Sequence, residues 1–235
     1  MELAAQEPLR LQEAEEGLSA GVLAMARGRF ITFEGGEGCG KSTQVRRLCD
    51  ALASEGIEVT CTREPGGTWL AESIRRLIKD QHEAPPCDRS ELLLFLAARA
   101  QLVRNVIRPA LESGSWVVCD RFSDSTVAYQ GYGRGLPLDT IRIANDFACG
   151  GLEPDLTLFL SISPETALQR RLRREAATQT EADRIERAGD AFHARLAEGF
   201  NELAKAFPGR IRTVDANGSV DEVWERIWKL VKPLT

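Results

Sequence analysis

The stretch Gly35-Gly36-Glu37-Gly38-Cys39-Gly40-Lys41-Ser42, followed by Thr43, decides how this chain folds. It spells G-x-x-x-x-G-K-[ST]. The glycines let the backbone curl so that successive N–H groups point inward at phosphate oxygens. Lys41 brings a cation to the β- and γ-phosphates, and Ser42 offers a hydroxyl to Mg²⁺. The flanks agree with this reading. Arg29 to Glu34 is a short β-prone run, and Lys41 to Leu52 has helical composition. The loop therefore joins a strand to a helix N-terminus, where the helix dipole favours an anion.

Working outward, strand-like runs recur at Ile57 to Thr62, Trp116 to Asp120, Leu156 to Ile162 and Arg210 to Asp215. Between them lie helical patterns at Trp69 to Lys79, Ser90 to about Val106, Leu138 to Ala148 and Thr166 to Glu175. A polar interruption, Ala176 to Ala182, precedes a long helix ending at Phe207, and Val220 to Val231 is a last amphipathic helix. Gly131 to Pro137 is expected to be a flexible loop. Strands alternating with helices imply an α/β fold: a five-stranded parallel sheet with helices on both faces. A chain of 235 residues suits one such domain.

The charge balance, 30 basic against 35 acidic side chains, argues against a whole-surface nucleic-acid binder. No apolar run approaches the roughly 18 residues of a membrane span. Residues 1–27 carry Glu2, Glu7, Glu13, Glu15 and Glu16 against Arg10 and Arg27, which fits neither a secretory signal nor a transit peptide. They are expected to form a disordered or weakly helical extension, with Met25 a candidate start and residues 28–235 the folded domain. The six cysteines contain no C-x-x-C pair and only two histidines accompany them, so free cytoplasmic thiols are expected rather than zinc.

In phosphoryl transfer the protein mainly positions groups and neutralises charge. Asp120, ending a buried strand, is placed to organise Mg²⁺ together with Ser42, and Arg121 follows at the same rim. Phe95 and Arg99 share a helix face. They read either as a base clamp or as a core ring beside a surface charge. Arg170, Arg171, Arg173 and Arg174 read either as a solvated face or as the cations of a mobile lid, about residues 170–184, that closes over a triphosphate.

The combination Phe33-Glu34-Gly35 to Thr43, then Thr62-Arg63-Glu64-Pro65-Gly66-Gly67-Thr68, then Asp120-Arg121-Phe122 running to Ser125-Thr126-Val127-Ala128-Tyr129-Gln130-Gly131, then Asp183-Arg184-Ile185-Glu186, resembles the thymidylate kinases from about residue 29 onward. The resemblance implies a P-loop kinase that uses ATP and Mg²⁺ to phosphorylate dTMP to dTDP, on the route to dTTP. It implies that Gly35 to Thr43 hold ATP and that Glu37 faces the deoxyribose 3′-hydroxyl and the metal waters. Arg63 and Arg121 would grip the acceptor phosphate. Phe95 would stack on thymine and Arg99 bond its O4. Thr126 and Gln130 would follow the base edge, and Tyr129 would pack on the sugar and crowd a 2′-hydroxyl. A homodimer packed through helices is also implied, with Leu93, Leu96, Ala97 and Ala100 as candidate surface. Some members carry an arginine in the phosphate loop. Here Gly38 stands in that place, so the transition-state cation is expected from the lid, with Arg170 and Arg174 the leading candidates. A nucleotide switch is the rival class, but the guanine-reading N-K-x-D is absent from the sequence.

Overall fold

The computed structural model describes residues 27–80, 85–178, 184–185 and 187–235, the side chains of 174–178 excepted. The expected extension 1–27 thus lies outside the described residues but for Arg27. So do residues 179–183 of the expected lid and the side chain of Arg174.

The chain begins with β1 (Phe30–Glu34), runs through the phosphate loop into α1 (Lys41–Ser54), and continues to β2 (Val59–Arg63) and α2 (Trp69–Lys79). Next come α3 (Asp88–Leu102), a π-helical turn (Val103–Ile107) and the short α4 (Arg108–Glu112), which lead to β3 (Trp116–Asp120). One turn, α5 (Ser123–Thr126), passes into a second π-helical stretch (Val127–Gly133) and then α6 (Leu138–Cys149). The rest is β4 (Leu156–Ser161), α7 (Pro164–Thr178), α8 (Asp190–Ala206), β5 (Ile211–Asp215) and α9 (Val220–Val231).

The sheet order is β2-β3-β1-β4-β5, and every pairing is parallel. All five residues of β1 are buried. A central parallel strand covered on both faces demands this, and the mostly apolar make-up of β1 and β3 follows from it. On one face Ile31, Phe33, Leu48, Leu52, Val118 and Leu158 pack with Val223, Ile227 and Val231 of α9. On the other, Phe30, Leu102, Ile107, Val117 and Phe122 form one cluster, and Tyr129, Ile141, Phe159, Phe192 and Phe200 another. Ser219 starts α9 through a reciprocal cap with Glu222. The strand order reverses about β1, and the carboxyl ends of β1, β2 and β3 deliver Gly35, Arg63 and Asp120 to one rim, where such sheets bind ligands. Among the described residues no helix is long and apolar enough to cross a membrane.

Two expectations are corrected. The stretch Gly131 to Pro137 is not a loop throughout, because Gly131 and Gly133 lie in the π-helical segment. These glycines serve close packing rather than a turn. A Cβ on Gly133 would lie 2.6 Å from the Phe192 ring, and one on Gly131 would lie 2.6 Å from Leu138. The cysteines are not all free either. Cys49 of α1 and Cys61 of β2 form a disulfide, with Cα atoms 6.5 Å apart. Only 12 residues separate them, but the turn after α1 folds β2 back along the helix and brings the two side chains together. Cys39, Cys87, Cys119 and Cys149 are free thiols.

Candidate active site

The phosphate loop takes the form its glycines permit. Gly35, Gly38 and Gly40 have φ of 138°, 75° and 90°. A Cβ on Gly38 would stand 2.7 Å from the Ala167 carbonyl oxygen, so α7 packs directly onto the loop at the position where an arginine side chain is missing. Lys41 is buried, its Nζ donating to the carbonyls of Gly35 (3.1 Å) and Gly36 (2.8 Å). This holds the ammonium folded over the loop mouth. Ser42 donates its hydroxyl to Asp120 Oδ2 at 2.7 Å. The expected pair of oxygen donors is therefore assembled across α1 and β3.

Arg121 has a left-handed backbone, φ 74°, a costly conformation for a residue with a Cβ. The turn aims its guanidinium back at the loop. Nη2 donates to Glu37 Oε1 at 2.6 Å, Nη1 donates to the Gly35 carbonyl at 2.8 Å, and the group lies 5.0 Å from the centre of the Tyr129 ring. Burial works against its charge, but neighbours including Glu37 and Asp120 hold it firmly protonated. Glu34, wholly buried at the end of β1, fixes this turn by accepting from Phe122 N–H, Ser125 N–H and the Ser125 hydroxyl. Burial, with Asp124 nearby, pushes the Glu34 carboxyl up to about 7.

The second wall of the site comes from α3 and the π-helical segment. Arg99 is 1% exposed, which removes the reading of it as a surface charge. Its Nε and Nη2 donate to Glu64, Nη2 also to the Phe122 carbonyl, and Nη1 to Thr126 Oγ1 (2.9 Å) and Asn145 Oδ1 (2.6 Å). All five N–H groups are engaged. Glu64 keeps the guanidinium charged in spite of its burial. Arg99 and its partner Thr126 both line the cavity. Phe95, one turn before, is half-buried beside it. The Tyr129 hydroxyl is buried and has no hydrogen-bond partner among the described residues. Burial pushes its pKa up from the usual phenol value, so the group stays a neutral phenol. Gln130 donates its amide nitrogen to Glu91 at 2.9 Å.

Loop and wall open onto one cavity of about 640 Å³. Its lining includes Glu37 to Thr43, Arg63, Phe95, Arg99, Asp120, Arg121, Thr126, Tyr129, Gln130 and Arg170. Arg63 is half-exposed and pairs with Glu72 at 2.8 Å. Arg170 donates to the Gly218 carbonyl at 2.7 Å, beside the loop before α9. Arg173 is exposed, and Arg171 is half-buried. Reading the sequence missed Glu64, Asn145 and Glu34. Glu64 and Glu34 were present within the quoted motifs, but a carboxylate in a motif carries no mark of whether it faces substrate or braces an arginine.

A phosphate loop, a carboxylate hydrogen-bonded to its serine and a second wall on the same cavity define the class of a P-loop phosphotransferase. A family profile described as thymidylate kinase matches residues 33–227. A thymidylate kinase of a Synechococcus species is 50% identical over 204 residues, covering 87% of this chain and 94% of that protein. One from Gloeobacter violaceus is 53% identical over 199 residues, covering 84% and 92%. The crystal structure of thymidylate kinase from Ehrlichia chaffeensis superposes with a TM-score of 0.71 at 33% identity, over 88% of this chain and 99% of that one. The chain belongs to the thymidylate kinase family.

Proposed function

We infer that this chain transfers the γ-phosphoryl group of ATP to dTMP, giving dTDP and ADP on the way to dTTP. The observation that carries the reading is the single cavity in which a phosphate loop faces an aromatic, amide and hydroxyl wall suited to a pyrimidine deoxynucleotide. The backbone of Gly35 to Thr43 cradles the ATP phosphates, and Lys41 leaves its loop carbonyls to meet the β- and γ-oxygens. Ser42 and Asp120 offer the oxygen-only donors that Mg²⁺ takes. When bound, that ion neutralises and orients the phosphates.

On the acceptor side Arg121 and Arg63 hold the dTMP phosphate. Glu37, now paired with Arg121, keeps that guanidinium in place and faces the 3′-hydroxyl. Phe95 stacks on thymine, Thr126 and Arg99 serve its carbonyl edge, and Gln130 serves the imide. The orphaned Tyr129 hydroxyl occupies the space a 2′-hydroxyl needs. The attacking oxygen is a phosphate oxygen, already anionic, so no strong general base is required. What the protein must supply is neutralisation where two polyanions meet. Lys41, Arg63 and Arg121 do part of this, and the Arg170–Arg174 run of α7 supplies the rest, since Gly38 leaves the phosphate loop without its own arginine.

The protein acts as a homodimer in the cytoplasm. Support for the dimer is the apolar residues left exposed on α2, α3 and α6, neighbouring helices. Leu77, Leu93, Ile143 and Phe147 are exposed there, Phe147 by 90%, with Ala97 and Ala100 of the expected surface beside them, whereas Leu96 belongs to the core. The test of the activity is ADP release from ATP by the purified protein. Release should depend on added dTMP, and ATP hydrolysis of equal rate without dTMP would refute the kinase.

A further inference from the structure

Glu91 lies on α3 one turn before Phe95 and two before Arg99, yet it does not line the cavity. It is 1% exposed and surrounded by donors. Its Oε1 accepts from Gln130 Nε2 (2.9 Å) and Arg134 Nε (3.2 Å). Its Oε2 accepts from Arg134 Nη2 (3.2 Å) and from Arg184 Nη2. Asp88 adds a longer contact to Arg134, 3.6 Å. Burial alone would raise the Glu91 carboxyl, but the bonds from Gln130, Arg134 and Arg184 outweigh it and leave the group ionised.

An ionised carboxylate only accepts hydrogen bonds. Glu91 therefore dictates which end of the Gln130 amide faces it: the NH₂ turns to Glu91, and Oε1 turns to the cavity that Gln130 lines. The second arm of the cluster reaches the far side of the site. Arg184 also donates to the Ile78 carbonyl at 3.4 Å. Its neighbour Ile185 packs, as Phe95 does, against the buried cluster that includes Ile78, and both line the same cavity.

We propose that Glu91 is a positioning residue for the acceptor base. It locks Gln130 with its carbonyl oxygen presented to a donor, and through Arg184 it seats Ile185 on the cluster that also carries Phe95. The chemical class this selects is a pyrimidine with an imide N–H, thymine or uracil. Cytosine presents an acceptor at that ring position and would meet oxygen with nitrogen lone pair. The proposal rests on the reading that Gln130 lies along the base edge.

The test is steady-state kinetics of Glu91→Gln with dTMP and dCMP, alongside a melting temperature. An amide at 91 no longer dictates the orientation of Gln130. The expected result is a rise of at least tenfold in KM for dTMP, a KM for ATP within twofold of the parent, and a smaller dTMP-to-dCMP ratio of kcat/KM. An unchanged KM for dTMP, or a parallel loss of kcat and of both KM values with the melting temperature, overturns the proposal. Should Glu91→Gln not fold, Arg184→Gln is read instead. A threefold or larger rise in KM for dTMP alone supports the proposal, and no rise overturns it. Gln130→Ala separates this from the reading beneath it. If Gln130→Ala leaves dTMP binding intact, the base-edge reading fails. If it weakens binding while Glu91→Gln does not, only the role of Glu91 fails.

Discussion

The two halves of the cavity are built by opposite means. The donor half is main chain: a contiguous loop of eight residues, glycines at positive φ, and one lysine folded onto two carbonyls. The acceptor half is side chain: Arg99 with Glu64, Arg121 with Glu37, and Glu91 with three donors, drawn from segments far apart in the chain. A main-chain cradle separates chemistry from stability, because removing one side chain leaves the loop. A wall of buried ion pairs joins them, because removing one partner strands the other.

Lys41→Met should give the largest effect and the cleanest separation. Turnover should fall roughly 10³–10⁴-fold, about 4–5.5 kcal/mol of transition-state stabilisation, with the melting temperature nearly unchanged. Near-normal turnover by a folded variant would erase the distinction from the donor side.

Arg99→Met should break the acceptor wall. Stranding Glu64 in a buried site costs about 3–5 kcal/mol of folding free energy, or roughly 6–20 °C in melting temperature for a chain of this size. Glu64→Gln combined with Arg99→Met should recover part of that loss in urea denaturation. If the double variant is no more stable than Arg99→Met alone, the pair is not the unit we describe.

This contrast also explains what the sequence revealed. The phosphate loop, the strand ends at Asp120 and Arg63, and the five-stranded sheet were legible because each depends on residues adjacent in the chain. The acceptor wall was legible only through its resemblance to a family. Phe95 and Arg99 alone read either as a base clamp or as a core ring beside a surface charge. What resolves them is Glu64, 35 positions away, and Asn145, 46 away, which no local pattern connects. The glycines at 131 and 133 misled for a related reason: they read as turn formers, but α6 packs against the first and α8 against the second. The Cys49–Cys61 disulfide likewise depends on where the chain turns back.

Glu34 gives a smaller effect, with a sign that can be read. Its folded pKa of about 7 lies above the unfolded value of 4.5. Between those pH values the folded state holds the extra proton, so this group makes stability fall as pH rises from about 4.5 to 7 and level off above. The span corresponds to a contribution on the order of 3 kcal/mol. Urea denaturation at pH 5 and pH 7.5 should show a flatter profile for Glu34→Gln than for the parent. Identical slopes would mean that the carboxylate bracing Arg121 is ionised throughout.

The smallest effect tests where the last cation comes from. Alanine at Arg170, Arg171, Arg173 and Arg174 together should lower kcat at least tenfold, about 1.4 kcal/mol, with a lesser change in KM for ATP. A smaller loss in kcat would return the charge to Lys41 and Arg121 alone and remove α7 from the chemistry.

The central claim is that the side-chain wall reads a thymine deoxynucleotide. A coupled ADP-release assay across a panel of nucleoside monophosphates tests it most directly. We expect the highest kcat/KM with dTMP and a value roughly 10–200-fold lower with dUMP, the worth of one methyl in a fitted pocket. UMP should be lower still, because its 2′-hydroxyl meets Tyr129. Equal kcat/KM for dTMP and UMP would contradict the account.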